Sequence, residues 1–310
     1  MQSALPPSRP GQASRGVDAT DAAAETKVVL LAGSVKVPDR VGHHDYLAGC
    51  ALLAALLEQT AGVRAVVVPN GWPEDERVFT GARALVIYSG GGRKLAFLQS
   101  PPRIDLLQRL IDQRVGLAMI HQAVSCPPEF APRATEWIGG AHVAGASARG
   151  HWTTRHREFP VHPVTRGVDA WTIKDGWLNR IQFADGMRGV TPLVWAGPRH
   201  LGSSAGGAMD VVAWTYERAD DGRAFCFSGL DAHSAWAVAG LRRLVVNGIL
   251  WSAGLTVPEA GAPCAIDAGT LQSYLTPRGS RCAWLRKVLL RGGRRLASYV
   301  VPARATVRKL

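Results

Sequence analysis

Apolar residues along the chain form short runs that alternate with stretches of helical character. Six runs are typical of buried strands, at residues 27–33, 63–69, 84–89, 115–120, 210–217 and 222–229. Three stretches predict helices, at residues 45–60, 103–113 and 237–254. Strands that alternate with helices in this order predict an α/β domain built on a mostly parallel sheet.

Polar residues and glycines follow four of the predicted strands at their carboxyl ends. They are Asp39, His43, His44 and Asp45 after the first strand, Tyr88, Ser89 and Gly90–Gly92 after the third, His121 after the fourth, and Asp231 and His233 after the last. Ligands of open α/β sheets bind beyond the carboxyl ends of the strands. If these four strands are parallel, we expect their loops to converge on one cleft.

His121 is the most informative of these residues. It ends the buried run of GLAMIHQAVS, residues 116–125, and a buried imidazole is costly unless it is hydrogen-bonded, bound to a ligand or open to a cleft. His43 and His44 have a simpler alternative, as solvated side chains before a helix. Gly90–Gly92 could equally be a plain loop, because the run lacks the motif of a P-loop or a dinucleotide site.

Most of the net charge of +12 lies at the C-terminus. Residues 265–310 contain eight Arg and two Lys against one Asp, a net charge of +9, which leaves +3 for the rest of the chain. The basic stretch is either an amphipathic helix for anionic lipid or nucleic acid, or a solvated appendage. We therefore expect a flexible leader at 1–26, one domain at 27–258 and a basic tail at 259–310.

The apolar runs also limit the cellular setting. None approaches the ~20 residues of a membrane span, and Val28–Ala32 is too short and too late for a signal-peptide core. Five cysteines have no CxxC spacing, and their odd number argues against a complete disulfide framework. A cytoplasmic protein with reduced thiols is the expectation.

A series of segments carries a family resemblance. In order between about residues 27 and 254 come GHHDYLAGCALLAALL, NGWPEDERVFTGARALVIYSGGG, GLAMIHQAVS, HPVTRGVDAWTIKDGW and GRAFCFSG. Together they resemble the ThuA-like family, the trehalose-utilisation domain. The resemblance implies a flavodoxin-like three-layer α/β/α fold of the class I glutamine amidotransferase type. It also implies a role in carbohydrate metabolism, in the processing of trehalose, other disaccharides or 3-keto-sugars.

The residues argue against an amidotransferase reaction. Those enzymes carry a nucleophilic cysteine at a tight strand-to-helix turn, and here the corresponding residue is His121. Cys126 lies five positions further on, before two prolines, where the turn geometry would be lost. An imidazole at the turn can instead act as a general acid or base, hydrogen-bond a sugar hydroxyl or bind a metal.

Most of the residues that the family pattern implies for the site are present in this chain, and some are replaced. His44 matches the histidine of the first loop, and His121 matches the one at the strand end. Of the family's acidic pair, Asp175 is kept and Gly176 replaces the second carboxylate. In GLDAHSAW, the last loop, His233 and Trp236 are retained.

Two hypotheses about function follow. In the first, the protein is a sugar-processing enzyme in which His121 is the general acid or base, while His44 and Asp175 orient substrate or carry a second proton. The expected substrate contacts are Ser89, Gly90, Gly91, Trp152, Asp231, His233 and Trp236. No cofactor is required, although His44, His121 and His233 would suit zinc if a metal were present. In the second, the domain binds a sugar or a protein without turnover, as the loss at Gly176 favours.

Overall fold

The protein is described by a computed structural model that covers residues 25–34, 42–196 and 210–275. Asp39, residues 1–24 of the predicted leader and residues 276–310 of the predicted tail lie outside the described residues.

Strands and helices alternate through the first half of the chain, as the apolar pattern predicts. The strands are β1 (Thr26–Ala32), β2 (Val63–Val68), β3 (Ala82–Tyr88), β4 (Gly116–Ile120), β5 (Ser125–Cys126), β6 (Gly140–Val143), β7 (Ala148–His156), β8 (Trp171–Asn179), β9 (Gln182–Phe183), β10 (Val190–Trp195), β11 (Val211–Glu217) and β12 (Arg223–Phe227). The helices are α1 (Tyr46–Leu57), α2 (Pro101–Asp112), α3 (Ala131–Ile138), α4 (Ala239–Ser252) and α5 (Ala268–Ser273). The six predicted strands and three predicted helices are confirmed, each within a few residues.

Seven strands form the central sheet in the order β10-β11-β12-β4-β3-β1-β2. All neighbours from β12 to β2 are parallel, whereas β11 runs antiparallel to both β12 and β10. The mostly parallel sheet is therefore confirmed, and its antiparallel part lies at one edge.

Helices cover both faces of the sheet. Val28 and Leu30 of β1 belong to the core that contains buried side chains of α1 and α4, whereas Val29 and Leu31 belong to the core that contains those of α2 and α3. Alternate residues of a strand point to opposite faces, and a strand covered on both faces needs apolar side chains throughout. The three-layer α/β/α arrangement follows from these continuous apolar runs.

The hairpin of β7 and β8 is absent from the sequence prediction. Most residues of β7 are exposed or only partly buried, and the strand carries no apolar run. Its conformation is fixed instead by antiparallel pairing with β8, in a register that places His151 opposite Gly176 and Trp152 opposite Asp175. Pairing with a distant segment is the information that local periodicity lacks.

The folded domain extends beyond the predicted boundary at residue 258. Ala262 and Cys264 are buried in the core beside α4. Arg242 of α4 donates to the Cys264 carbonyl at 3.1 Å, and the buried Asn247 accepts a hydrogen bond from the Ala262 N–H at 2.8 Å. Residues 259–275 are thus part of the domain rather than of the tail.

Within the part of the chain that the structure describes, no helix is both long enough and apolar enough to traverse a bilayer. The longest of these helices, α4, has 14 residues and includes Arg242 and Arg243. A span requires ~20 mostly apolar residues.

We expect the side-chain hydrogen bonds of Asn247 to be important for stability. Its amide nitrogen donates to the carbonyls of Val164 and Arg166, both at 2.9 Å, and its oxygen accepts from Ala262. Because the Asn247 side chain is fully buried, Asn247→Ala should lower the free energy of unfolding by about 2–4 kcal/mol, measured by urea denaturation.

The control variant is Gln59→Ala. Gln59 clamps the backbone of Ala265 with two similar hydrogen bonds, of 2.8 and 2.9 Å, but it is exposed to solvent. Its loss should cost about 0.5–1 kcal/mol, because water replaces the lost bonds. Equal losses in the two variants would contradict the importance of burial at Asn247.

Candidate functional site

The carboxyl ends of β12, β4, β3 and β1 lie side by side, because these strands are consecutive in the sheet and parallel. The loop after β12 also pairs with the segment that precedes α1. His43 forms an isolated bridge with Ala232, the His44 N–H donates to the Asp231 carbonyl at 3.0 Å, and the His233 N–H donates to the Gly42 carbonyl at 2.6 Å. This pairing brings His43 and His44 to Asp231.

Four imidazoles surround the carboxylate of Asp231. One oxygen, Oδ1, lies 2.8 Å from His44 Nε2 and 3.4 Å from His121 Nε2. The other, Oδ2, lies 3.2 Å from His43 Nδ1 and 3.1 Å from His151 Nε2. We refer to the two halves as the Oδ1 side and the Oδ2 side of the cluster.

The two sides differ in their access to solvent. On the Oδ2 side the His151 side chain is 66% exposed and that of His43 is 33% exposed. On the Oδ1 side the His44 side chain is 31% exposed, whereas that of His121 is only 3% exposed. A ligand can therefore reach three of the rings directly, and His121 forms the floor behind them.

The surroundings of Asp231 keep its carboxylate charged. Burial alone would raise the pKa of Asp231, but the neighbouring imidazoles of His121, His44 and His151 outweigh burial and hold that pKa well below its ordinary value. The same negative charge, added to the larger effect of burial, raises the pKa of Tyr46, whose ring packs 5.9 Å from that of His44. The cluster is thus a buried anion surrounded by imidazoles.

Three residues at this site have a strained backbone conformation. His44, His121 and Leu230 all have positive φ angles, of 51°, 59° and 70°. A positive φ is unfavourable for residues other than glycine and costs of order 1–3 kcal/mol at such positions. His121 adopts it at the strand-to-turn junction directly after β4, where the sequence predicted a tight turn. Each of these three residues either provides a ring of the cluster or precedes Asp231.

Asp175 holds the strained loop in place. Its two carboxylate oxygens accept hydrogen bonds from the N–H groups of Leu230 (2.6 Å), Asp231 (3.1 Å) and Gly176 (2.9 Å). The Leu230 carbonyl in turn accepts a bond of 2.6 Å from the buried Tyr88 hydroxyl. Burial raises the pKa of Asp175. These contacts orient the backbone that carries Asp231, so Asp175 supports the cluster from behind.

Gly176 has no room for a side chain. A Cβ atom at this position would lie 2.9 Å from Asp231 Cβ and 3.0 Å from both Asp231 Cγ and His151 Nε2. The sequence suggested that the second carboxylate of an acidic pair is lost at Gly176. The structure places the carboxylate of Asp231 against the same glycine, so this part of the site retains an acidic group.

Four other residues predicted to contact substrate or metal lie outside the cluster. His233 is buried with Nε2 3.3 Å from the Leu271 carbonyl, and it does not belong to the cluster, which corrects the predicted metal-ligand set. Trp236 is fully buried and packs edge-on against Tyr88, which corrects its assignment as a substrate contact. The Ser89 hydroxyl is buried and donates to the Gly90 carbonyl. Trp152 packs against the core and stays partly exposed.

Sequence reasoning missed two partners of Asp231 and one neighbour. His151 lies on the unpredicted strand β7, and only the register opposite Gly176 reveals its position. For His43, the sequence is equally consistent with a solvated side chain and with a place in the site. Gln122, directly after His121, has its side-chain nitrogen 3.2 Å from His44 Nε2. Its position next to His121 was the only available signal.

We expect the charge of Asp231 to affect stability with a defined pH dependence. A carboxyl whose folded pKa is depressed stabilises the fold above its unfolded pKa of about 3.9, and this contribution is lost as the pH falls towards the folded pKa. The stability difference between wild type and Asp231→Asn should therefore be about 1 kcal/mol smaller at pH 3 than at pH 5. Urea denaturation at the two pH values measures it.

The exposed Asp185 provides the control, because Asp185→Asn should change stability much less at either pH. A difference for Asp231→Asn that stays constant between pH 5 and pH 3 would mean that its carboxyl is not depressed in the folded state.

Two ThuA-like proteins of known structure share this architecture. A ThuA-like protein from Parabacteroides merdae aligns with a TM-score of 0.51 at 13% identity, covering 78% of this chain and 98% of its own. A ThuA-like protein from Bacteroides uniformis gives 0.52 at 13% identity, with coverages of 80% and 99%. A glutamine amidotransferase from Thermotoga maritima gives 0.41 at 10% identity, with coverages of 74% and 96%.

At the level of sequence, no curated protein matches the chain. The model of the ThuA family, described as "Trehalose utilisation", matches residues 37–252, which is more than half of the chain. The match spans His44, His121, Asp175 and Asp231. The protein therefore belongs to the ThuA family.

Proposed function

We propose that the protein is a carbohydrate-processing enzyme whose reaction centre is the cluster of four histidines around Asp231. The single observation that carries the proposal is the division of this cluster into two sides on one carboxylate. The family's description as trehalose utilisation supports a sugar as the substrate class. The chemistry of the cluster supports proton transfer to or from that sugar.

The Oδ2 side suits general acid and base catalysis. An imidazole that donates one N–H to a carboxylate keeps its other nitrogen as the acceptor, and the carboxylate stabilises the ring when it becomes protonated. With Asp231, His43 would use Nδ1 for this bond and His151 would use Nε2. Each would then present its remaining nitrogen as a base, and both side chains are accessible to solvent.

The Oδ1 side suits polarisation of a substrate oxygen. His44 and His121 bring two imidazoles together with their ring centroids 5.4 Å apart. Proton abstraction next to a carbonyl places negative charge on the carbonyl oxygen, and a fixed positive group stabilises that charge. A keto-sugar is a substrate that requires both functions. The base would lie on the Oδ2 side, and the electrophile that polarises the carbonyl oxygen would lie on the Oδ1 side.

This assignment modifies the role predicted for His121. The sequence suggested that His121 itself exchanges the proton with the substrate, but its side chain is almost completely buried. We assign it to the electrophilic side instead. Asp175 is a positioning residue in this proposal, because its oxygens are occupied by three backbone N–H groups.

The proposal predicts that the double variant His43→Gln/His151→Gln loses turnover. If these rings are the acid and base, kcat on 3-keto-glycosides should fall by about 10²- to 10⁴-fold, while KM changes little. Chromatography of the products of trehalose and of a panel of 3-keto-glycosides measures the rate.

The matched control is His156→Gln, on the same strand as His151. His156 is buried against Trp171, its ring is 4.0 Å from that indole, and burial lowers its pKa to about 4. We expect this variant to keep wild-type kcat. Saturable sugar binding without turnover by the wild-type protein would instead indicate a binding module, and unchanged turnover in the double variant would refute the assignment of His43 and His151.

A further inference from the structure

The Oδ1 side of the cluster brings three potential metal-ligand atoms together. His44 Nε2, His121 Nε2 and Asp231 Oδ1 all lie within 4.8 Å of one another. Two of these residues, His121 and Asp231, are buried, and His44 is partly exposed. A positive group at these atoms would balance the negative charge of Asp231.

The hydrogen bonding of His121 indicates that a positive group is needed. Its Nδ1 lies 3.4 Å from the Ser228 carbonyl, which can only accept a hydrogen bond, so Nδ1 carries a proton. In the neutral ring Nε2 then has a lone pair, and that atom is buried without a hydrogen-bond partner while Asp231 Oδ1 lies 3.4 Å away. A lone pair facing a carboxylate is repulsive unless a second proton or a metal ion lies between them.

The spacing favours a metal ion. With metal–ligand bonds of about 2.0–2.1 Å, the ligand atoms of a tetrahedral zinc site are about 3.3 Å apart. The two nitrogen-to-oxygen distances on the Oδ1 side, 2.8 and 3.4 Å, lie on either side of this value. An outward movement of the partly exposed His44 by about 0.5 Å would bring its distance from Asp231 Oδ1 to this value.

The outer contacts are those of a supported metal site. Metal-binding histidines normally donate their second N–H to a carbonyl or carboxylate, and metal-binding carboxylates are themselves hydrogen-bonded. His121 has such a contact with the Ser228 carbonyl. The other carboxylate oxygen, Asp231 Oδ2, contacts His43 and His151. The Asp231 backbone is fixed by Asp175.

We propose that His44 Nε2, His121 Nε2 and Asp231 Oδ1 bind a divalent transition-metal ion, with zinc as the best-suited probe. The set of two histidines and one carboxylate is typical of catalytic sites that keep an open position for water or substrate. The inference rests on the same site as the proposed function and identifies the positive group on its electrophilic side. Such an ion would polarise a substrate oxygen.

Zinc binding by the full chain tests the proposal. Protein without an affinity tag is stripped with a chelator, dialysed against zinc chloride and measured by inductively coupled plasma mass spectrometry. We expect about one zinc ion per chain, and at least a 100-fold weaker affinity in His121→Gln and in Asp231→Asn. His151→Gln should weaken binding by roughly 10- to 100-fold, because it removes only an outer contact.

Three controls make the result interpretable. His156→Gln should bind zinc like the wild type, and Mg²⁺ at equal concentration should not bind, since it prefers oxygen ligands. Circular dichroism establishes that each variant is folded. In addition, Co²⁺ should give the visible absorption of a low-coordinate site in the wild type and lose it in His121→Gln.

The outcomes separate this inference from the proposed function. Zinc uptake that is absent, or equal in the wild type, His121→Gln and Asp231→Asn, would overturn the metal site and leave a protonated His121 as the positive group. Stoichiometric zinc binding without turnover of any sugar would support the metal site and contradict only the proposed function. Full turnover by stripped protein would overturn the inference that the ion serves this reaction.

Discussion

The site depends on one interaction, the burial of the Asp231 carboxylate among imidazoles. A lone buried carboxylate would be costly, because it loses its hydration without compensation. Contacts of 2.8–3.2 Å with the rings of His44, His151 and His43 provide that compensation. The dependence is mutual, since the anion also fixes which nitrogen of each ring faces inward. Removal of the carboxylate would therefore disturb all four rings, whereas removal of one exposed ring leaves three.

The fold supplies the strain and the support that this arrangement needs. The loops after β1, β4 and β12 reach one edge of the sheet, and three of their residues adopt left-handed backbone conformations. Hydrogen bonds from Leu230 and Asp231 to Asp175, and from Tyr88 to Leu230, hold the last loop from below. These supporting groups are buried, so the precision of the site is built into the core.

The protein is a member of the ThuA family, and the residue at the turn after β4 is a histidine rather than a cysteine. His121 occupies the strained turn position, and its ring points to a carboxylate. The loss of a side chain at Gly176 does not empty the site, because Asp231 lies against that glycine. Histidines on both sides of one carboxylate can combine a base with an electrophile, which is the combination that chemistry next to a carbonyl requires.

The sequence by itself determined the layers, the parallel strands and the positions of His44, His121 and Asp231 at strand ends. Apolar runs and helical spacing are local signals, and the direction of parallel strands then brings their carboxyl ends to one edge. Tertiary structure decided the rest. His151 reaches Asp231 only through the register of β7 and β8, and His43 reaches it through the bridge to Ala232. Tertiary structure also places His233 against the Leu271 carbonyl and buries Trp236 in the core. These outcomes depend on contacts between residues far apart in the chain, which no local pattern of polar and apolar residues encodes.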